Sequence, residues 1–288
     1  MADGLAKPVE QPVYPPATWR LLNTGAADGA TNMAVDEAIL LAVAAGRAPA
    51  TLRCYGWEPP CLSLGQAQPI GAVDRARLAE RGWDLVRRPT GGRAILHADE
   101  LTYSIIAPLA GEPRVQGDVP ESYQRLSRGL VAALHVLGLR PERAQPVRGG
   151  DRGDPGPACF DGPAQYEITF GGFKLVGSAQ VRRSGVVLQH GTLPLGGDIT
   201  RIAQGFAVEN EGQRRAIAAR LGFRATTLSR ALGRSVTFAE AAEALARGLA
   251  EALNLTLVPG TLTAEEQADA ARLRAEKYAS EAWTVKSS

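Results

Sequence analysis

A single lysine, Lys174, stands far from every other lysine in the sequence. The chain of 288 residues has 32 lysines and arginines, and only four are lysines: Lys7, Lys174, Lys277 and Lys286. The pKa of a lysine amine shifts readily with its surroundings, so the amine can lose its proton, whereas an arginine guanidinium keeps its charge. The pattern therefore indicates that an amine is needed at position 174. Chance drift between the two basic residue types is the alternative.

Lys174 belongs to the segment GFKLVGSAQ, residues 172–180, which is predicted to be a β-strand. Side-chain alternation puts Lys174 on one face with Val176, Ser178 and Gln180, and it puts Phe173, Leu175, Gly177 and Ala179 on the other. A glycine in the middle of a strand lets a ligand or a second backbone approach closely. We expect the lysine to point into a cleft, and a solvated lysine beside a bulge is the alternative.

Cys159 is the candidate nucleophile among the three cysteines of the chain. It follows the Gly- and Pro-rich stretch 141–158. Long loops of this kind are often lids or binding loops, and a tolerated insertion is the alternative. A thiol attacks as its thiolate, and a nearby cation lowers its pKa. Lys174 comes fifteen residues later, so a loop that folds back can place the amine beside the sulfur.

The other two cysteines, Cys54 and Cys61, lie in strand-like surroundings, where we expect them to be packing residues. An odd number of cysteines without close spacing argues against a disulfide scaffold. The histidines show no metal-ligand spacing either. We therefore expect no metal site.

A third candidate for chemistry is the segment RRPTGGRAILH, which begins at Arg87. Its two glycines, Gly91 and Gly92, lie in a turn that is predicted to join two strands. There the backbone can approach a ligand and offer N–H groups to an acyl or carboxyl oxygen. Arg88 flanks the turn with Arg87, and His97 ends the returning strand. A plain hairpin with surface arginines is the alternative.

Strands and helices in separate regions of the sequence must position these groups. Apolar spacing predicts helices over 31–45 and 121–137 and further helices beyond residue 200. Five short segments between residues 51 and 107 are predicted to be strands. The segments YEITF, FKLVGSAQVRR and VVLQHGTLPL form an antiparallel meander with tight turns at Gly171-Gly172 and Ser184-Gly185. This mixture predicts an α+β fold and not a doubly wound parallel sheet.

The composition restricts the class of protein. Hydrophobic residues make up 45% and charged residues 22%, as in ordinary globular proteins. The net charge of +2 is too even to indicate nucleic-acid binding. No apolar run reaches the roughly 18 residues of a transmembrane helix, and the first residues contain no signal-peptide core. We therefore expect a cytoplasmic protein that binds neither nucleic acid nor membrane.

Taken together, these segments resemble the lipoate–protein ligase and octanoyltransferase superfamily, which shares its catalytic domain with the biotin–protein ligases. The resemblance rests on the blocks LRCYGWEPPCLSLGQAQ, RRPTGGRAILHADELTYS, GFKLVGSAQ, VVLQHGTLPL and KYASEAW, which run in family order from about residue 30 to 283. It implies a mixed, mostly antiparallel sheet flanked by helices. It also implies a catalytic domain, to which we assign residues 18–257. The proline-rich residues 1–17 are predicted to be a flexible leader, and residues 258–288 a C-terminal helical extension.

Within that superfamily, ACFDGPAQYEITFGGFKLVGSAQ resembles the cysteine-dependent octanoyltransferase branch typified by the LipM enzymes. By this resemblance, Cys159 is the acyl-thioester nucleophile and Lys174 lowers its pKa. The resemblance also implies a set of substrate-binding residues around the acyl tunnel: Arg87, Arg88, Gly91, Gly92, His97, Gly177, Ser178, Ala179 and His190. It implies no metal, ATP or other cofactor.

The resemblance further implies a transfer of the octanoyl group in two steps. Cys159 takes it from octanoyl-acyl carrier protein and passes it to a lysine of a lipoyl domain. The expected acceptors are the glycine cleavage H protein and a 2-oxoacid dehydrogenase E2, and we expect the enzyme to be a monomer. An ATP-dependent lipoate–protein ligase, an octanoyl amidotransferase between lipoyl domains and a non-catalytic lipoyl-domain-binding module are the alternatives.

Overall fold

The computed structural model describes residues 14–143, 158 and 168–286. The strands are β1 (Ala17–Ala27), β2 (Thr51–Trp57), β3 (Cys61–Leu64), β4 (Asp84–Arg87), β5 (Ile95–His97), β6 (Glu100–Pro108), β7 (Glu142–Arg143), β8 (Ile168–Phe170), β9 (Phe173–Arg183), β10 (Val186–Pro194) and β11 (Leu255–Pro259). The helices are α1 (Gly29–Ala44), α2 (Arg75–Glu80), α3 (Val119–Val136), α4 (Glu211–Gly222), α5 (Leu228–Leu232), α6 (Phe238–Leu253), α7 (Ala264–Leu273) and α8 (Glu281–Thr284).

Eight strands form the main sheet in the order β11-β1-β2-β6-β10-β9-β8-β7. Strand β1 pairs in parallel with β11 and β2, and the remaining pairs of this sheet are antiparallel. A small second sheet has the order β4-β3-β5. The prediction of an α+β fold with a mostly antiparallel sheet is confirmed.

Helices cover both faces of the main sheet. Side chains at odd spacing along β2 point to opposite faces, so Leu52 packs with α3 and α6 in one apolar cluster. Tyr55 packs with α1 and α7 in the other. Among the residues that the structure describes, no helix is long and apolar enough to cross a membrane.

The predicted meander is confirmed by β8, β9 and β10. The central residues of its two turns all have positive φ: +57° and +80° at Gly171 and Gly172, and +52° and +74° at Ser184 and Gly185. Positive φ at both central residues is the geometry of type I′ hairpins, whose twist matches that of the flanking strands. The strand that carries Lys174 is therefore fixed at both ends.

The pairing of β8 with β9 shifts by one residue beside Lys174. Thr169 faces Lys174, whereas Ile168 faces Val176. Such a β-bulge interrupts the two-residue alternation of side chains. Leu175 and Val176 consequently both enter the apolar core, and the prediction that Val176 shares a face with Lys174 is wrong.

The hairpin predicted between β4 and β5 is also wrong, because these strands do not pair with each other. Strand β3 lies between them, parallel to β4 and antiparallel to β5. The connection that contains Gly91 and Gly92 must therefore cross the end of β3. It is a crossover that lies against another strand, and not a hairpin turn.

Helices α3 and α6 approach each other through glycines. A Cβ added to Gly248 would lie 2.2 Å from the backbone nitrogen of Ala133. A Cβ added to Gly129 would lie 2.3 Å from Cδ2 of Leu249. Because a side chain at either position would push the helices apart, these two glycines set the distance between them.

We predict that Gly248→Ala lowers the free energy of unfolding by about 1–3 kcal/mol, because the new methyl group would overlap the backbone of α3. This value is the net change, because the cost of the overlap is larger than the ~1 kcal/mol by which alanine exceeds glycine in helix propensity. Urea denaturation measures the difference. Gly71→Ala is the control, since a Cβ there meets no atom within 4 Å. Equal stability of the two variants would contradict the close helix contact.

Candidate active site

An apolar cavity lies where the small sheet packs beside β9 and β10 of the main sheet. Its walls combine aromatic and small residues with a few polar groups, as in many sites that bind a small apolar group. The lining residues are Met33, Tyr55, Trp57, Ser63, Arg88, Gly92, Ile95, His97, Thr102, Tyr123, Lys174, Gly177, Ser178, Ala179, His190, Gly191 and Thr192.

Most of the residues that the sequence singled out come together here. The cavity wall contains Arg88, Gly92, His97, Lys174, Gly177, Ser178, Ala179 and His190. Arg87 and Gly91 are outside the lining. Cys159 and most of the stretch 141–158 lie outside the described residues.

Lys174 is only 5% exposed although it carries an amine. Its backbone is held on both sides, because Lys174 N donates to the carbonyl of Arg224 at 2.8 Å and its carbonyl accepts from Thr226 N at 2.9 Å. The bulge of β9 places this residue in the cavity wall while the next two residues enter the core. The fold thus supplies a buried amine on rigid backbone.

Arg88 organises the segment that crosses β3. Its guanidinium donates to the carbonyls of Gly91 and Arg93 and to the hydroxyl of Thr90. On the other side it donates to the carbonyl and the hydroxyl of Ser63. A planar guanidinium with five donors can hold a loop in this way where a lysine could not. The shape of the crossing segment therefore depends on Arg88.

Close backbone contact explains one of the two glycines in this segment. Gly92 has a φ of +89°, and its carbonyl oxygen would lie 1.8 Å from a Cβ placed on Gly65. A positive φ strains any residue with a side chain, and glycine adopts it freely. Gly92 and Gly65 together let the crossing segment lie directly on the end of β3.

Arg87, predicted to bind substrate, makes its described contacts with backbone carbonyls. Its guanidinium donates to the carbonyls of Gly65, Gln66 and Gln68. It also donates twice to the carbonyl of Thr284, at 3.1 and 2.8 Å, and the indole of Trp283 donates back to the Arg87 carbonyl at 2.8 Å. Arg87 thus ties the C-terminal helix to the small sheet.

His190 connects the cavity to a buried ionic network. Its Nε2 lies 2.6 Å from Thr90 Oγ1, and its Nδ1 lies 3.6 Å from Asp36 Oδ2. Burial lowers the pKa of His190, and the charge of Arg88 acts in the same direction, although Asp36 opposes them. His190 is therefore a neutral hydrogen-bonding residue at neutral pH.

Asp36 lies at the centre of that network. It is fully buried. It accepts from Arg53 Nη1 at 2.7 Å, Ser104 Oγ at 2.6 Å and Tyr55 Oη at 3.0 Å. Burial by itself would raise the pKa of Asp36, but the charge of Arg53 and the hydrogen bonds outweigh it and hold the pKa below its usual value. The carboxylate stays ionised behind the cavity wall.

His97 is held in a second buried chain of side chains. Its Nε2 lies 2.8 Å from Ser63 Oγ and its Nδ1 lies 2.7 Å from Glu100 Oε1. The imidazole also stacks on Trp57, with the ring centroids 4.0 Å apart and an angle of 10° between the planes. The ring therefore has one fixed orientation in the cavity wall.

The opposite wall depends on Gly191 for its space. A Cβ there would lie 2.5 Å from Ser178 Oγ and 2.6 Å from Cε1 of Tyr103. Ser178 Oγ in turn lies 2.7 Å from the hydroxyl of Tyr103. The absence of a side chain at Gly191 lets this hydrogen bond form at the surface of the cavity.

Two cysteines, Cys54 and Cys61, lie in the core and form no disulfide. Burial raises the pKa of Cys54 to about 12. Burial also raises the pKa of Cys61 well above its usual value, and the nearby carboxylates of Asp84 and Asp28 act in the same direction. Both thiols are protonated at neutral pH, so neither is a nucleophile.

Sequence reasoning missed several residues of the site, including Ser63, Trp57, Glu100 and Gly191. One signal was available for Ser63, a polar residue between leucines in the short apolar strand CLSL. A buried polar residue needs a partner, and here the partners are His97 and Arg88. The other residues carry no such signal.

Comparison with known proteins agrees with this architecture. A family model described as the lipoyl protein ligase A/B catalytic domain matches residues 28–250. The chain is 44% identical over 278 residues to octanoyltransferase LipM of Symbiobacterium thermophilum, covering 93% of this chain and 98% of that protein. It is 44% identical over 273 residues to octanoyltransferase LipM of Kyrpidia tusciae, covering 93% and 99% of the two chains.

A similar fold occurs in a bipartite lipoate protein ligase from Thermoplasma acidophilum. The TM-score is 0.78 at 24% identity, and the alignment covers 94% of this chain and 98% of that one. The resemblance inferred from the sequence is thus confirmed by sequence relatives and by the fold. The chain belongs to the lipoyl protein ligase A/B catalytic domain family.

Proposed function

We propose that the protein is an octanoyltransferase that moves an octanoyl group from acyl carrier protein to a lysine of a lipoyl domain through a thioester on Cys159. Its curated relatives at 44% identity are named octanoyltransferases. The observation that carries the proposal is the buried amine of Lys174 in the wall of an apolar cavity.

Lys174 is 5% exposed and belongs to the wall of this cavity. A lysine ammonium beside a cysteine favours the ionised form of the thiol. Lys174 therefore supports a mechanism that begins with a thiolate. Its backbone is held on both sides, which suits a group that must stay in position through two reaction steps.

Cys159 is the thiol that this mechanism requires. Cys54 and Cys61 are buried and protonated, so they cannot supply the nucleophile. Ala158, the residue before Cys159, is buried and bridges in parallel to Ala94. Ala94 immediately precedes the cavity residue Ile95. The bridge between Ala158 and Ala94 therefore supports a role for Cys159 at this cavity.

In the proposed first step, the Cys159 thiolate attacks the thioester carbonyl of the octanoyl donor. The new carbon–sulfur bond forms as the bond to the carrier thiol breaks, and the electron pair leaves with the carrier sulfur. Backbone N–H groups near Gly92 and Gly177 stabilise the oxyanion, an effect typically worth about 3 kcal/mol. The apolar walls hold the acyl chain and exclude the water that would hydrolyse the thioester.

In the proposed second step, the lysine of the acceptor attacks the octanoyl-Cys159 thioester and forms the amide. Dividing the transfer into two steps lets two protein substrates use one cavity in turn. The thioester stores the energy for amide formation, so the proposed reaction needs no ATP.

We predict that Cys159→Ala abolishes acylation of the enzyme and lowers octanoyl transfer by at least about 10³-fold, because the nucleophile is lost. Intact-protein mass spectrometry after mixing with octanoyl-acyl carrier protein measures the covalent adduct. Cys54→Ala, which removes a core thiol, should still gain one octanoyl group. Normal transfer by Cys159→Ala would overturn the thioester mechanism.

The same assay separates the proposed reaction from its alternatives. Acceptor modification from free octanoate and ATP would indicate a ligase. An octanoylated H protein that replaces the acyl carrier protein as the efficient donor would indicate an amidotransferase. We expect transfer only from the carrier-bound thioester.

We also predict that Lys174→Met raises the pKa of the Cys159 thiol toward its unperturbed value of about 8.5, because a neighbouring positive charge is removed. Alkylation by iodoacetamide at pH 7 should slow by about tenfold, and its pH profile should move to higher pH. Lys286→Met removes an exposed lysine and should change neither. Superimposable profiles for wild type and Lys174→Met would refute the role assigned to Lys174.

A further inference from the structure

The hydrogen bonds around Ser63, His97 and Glu100 run in a defined direction. Arg88 Nη1 donates to Ser63 Oγ at 3.2 Å, and a guanidinium can only donate. The Glu100 carboxylate accepts from His97 Nδ1. The network therefore assigns the imidazole proton to Nδ1, and it makes Ser63 the donor to the lone pair on His97 Nε2.

Neighbouring side chains hold the hydrogen-bonded residues Ser63, His97 and Glu100 in place. Trp57 stacks on the imidazole and donates its indole N–H to Thr102 Oγ1 at 2.8 Å. The Thr102 hydroxyl in turn donates to Glu100 Oε1. Glu100 is 7% exposed and lies behind the wall, whereas Ser63 and His97 form part of the lining. The chain thus leads from the cavity surface to a buried negative charge.

The second step of the proposed reaction needs a group that removes a proton. A lysine side chain has a pKa of about 10.4 in water and arrives as an ammonium ion, but only the neutral amine can attack. Lys174 serves in the first step as a cation, and a cation is a poor proton acceptor. A neutral imidazole with an accessible route to its Nε2 lone pair can do this work.

We propose that Ser63, His97 and Glu100 form a proton relay that deprotonates the lysine of the acceptor. The inference rests on the proposed function and adds catalytic residues to its second step. The acceptor ammonium gives a proton to Ser63 Oγ while the Ser63 hydroxyl proton passes to His97 Nε2. The resulting imidazolium is stabilised by the carboxylate of Glu100.

The released amine then attacks the octanoyl-Cys159 carbonyl. The carbon–nitrogen bond forms and the carbon–sulfur bond breaks, and its electron pair leaves on sulfur. The second nitrogen proton goes to that sulfur. One ammonium and one thioester thus give one amide, one thiol and one imidazolium. His97 later returns its proton to solvent.

Several titratable groups surround the His97 imidazole. Glu100 and Arg88 belong to its own hydrogen-bonded chain. His190 lies close enough to feel its charge, and Lys174 shares the cavity. Cys61 pairs with it across β3 and β5 and stays protonated.

The test measures the two halves of the reaction separately. Enzyme is first acylated with octanoyl-acyl carrier protein, then mixed with a lipoyl domain, and loss of the adduct is followed by mass spectrometry. Ser63→Ala and Glu100→Gln should acylate within about threefold of the wild-type rate. Transfer to the lipoyl domain should slow by about 10²-fold, in the range of general base catalysis. Ser127→Ala removes a buried serine from α3 and should leave both halves unchanged.

A further readout distinguishes a relay from a structural role. Hydroxylamine is largely uncharged at neutral pH, so it should deacylate the two variants at the wild-type rate.

Wild-type transfer rates in both variants would overturn the relay, as would equal slowing with hydroxylamine and with the lipoyl domain. If wild-type enzyme forms no octanoyl adduct at all, the proposed function fails first, and the relay fails with it. The adduct measured before the acceptor is added therefore distinguishes the two failures.

Discussion

The position of helix α1 on the main sheet depends on the buried negative charge of Asp36. The carboxylate of Asp36 on α1 is fully buried, so it must be surrounded by donors. Arg53 and Tyr55 of β2 and Ser104 of β6 supply them. One helical side chain thereby sets the position of α1 on two neighbouring strands. Removing one partner of such a buried ion pair typically costs about 3–5 kcal/mol, since the other charge is left unpaired.

The Asp36 carboxylate is connected to the cavity wall through His190, which contacts Asp36 on one side and Thr90 on the other. Thr90 belongs to the segment that Arg88 holds over the end of β3. His190, Thr90 and Arg88 thus make hydrogen bonds or ion pairs with the scaffold, and the cavity surface is mainly apolar. Such an arrangement lets a hydrocarbon chain bind without losing hydrogen bonds, and it keeps the reacting groups in place before substrate arrives.

Local sequence patterns predicted the features that depend on residues close together in the chain. The I′ turns of the meander, the helix over 31–45 and the lysine in the cavity wall follow from turn chemistry, periodicity and residue scarcity. The bulge beside Lys174 and the insertion of β3 between β4 and β5 depend on pairing with distant segments, and no local pattern encodes them. Arg87 is a further example. Its neighbours in the sequence suggest contact with a ligand, whereas its guanidinium donates to the carbonyl of Thr284, which lies 197 residues away in the sequence.

The contact of Arg87 with Thr284 has a consequence for the order in which the protein matures. A chain that emerges from the ribosome N-terminus first exposes β4 and the cavity strands long before residues 283 and 284 exist. Until then, the Arg87 guanidinium lacks two of its acceptor contacts and the Trp283 indole cannot bind its carbonyl. The contacts of β4 with Trp283 and Thr284 can therefore form only after all the strands that line the cavity have been synthesised.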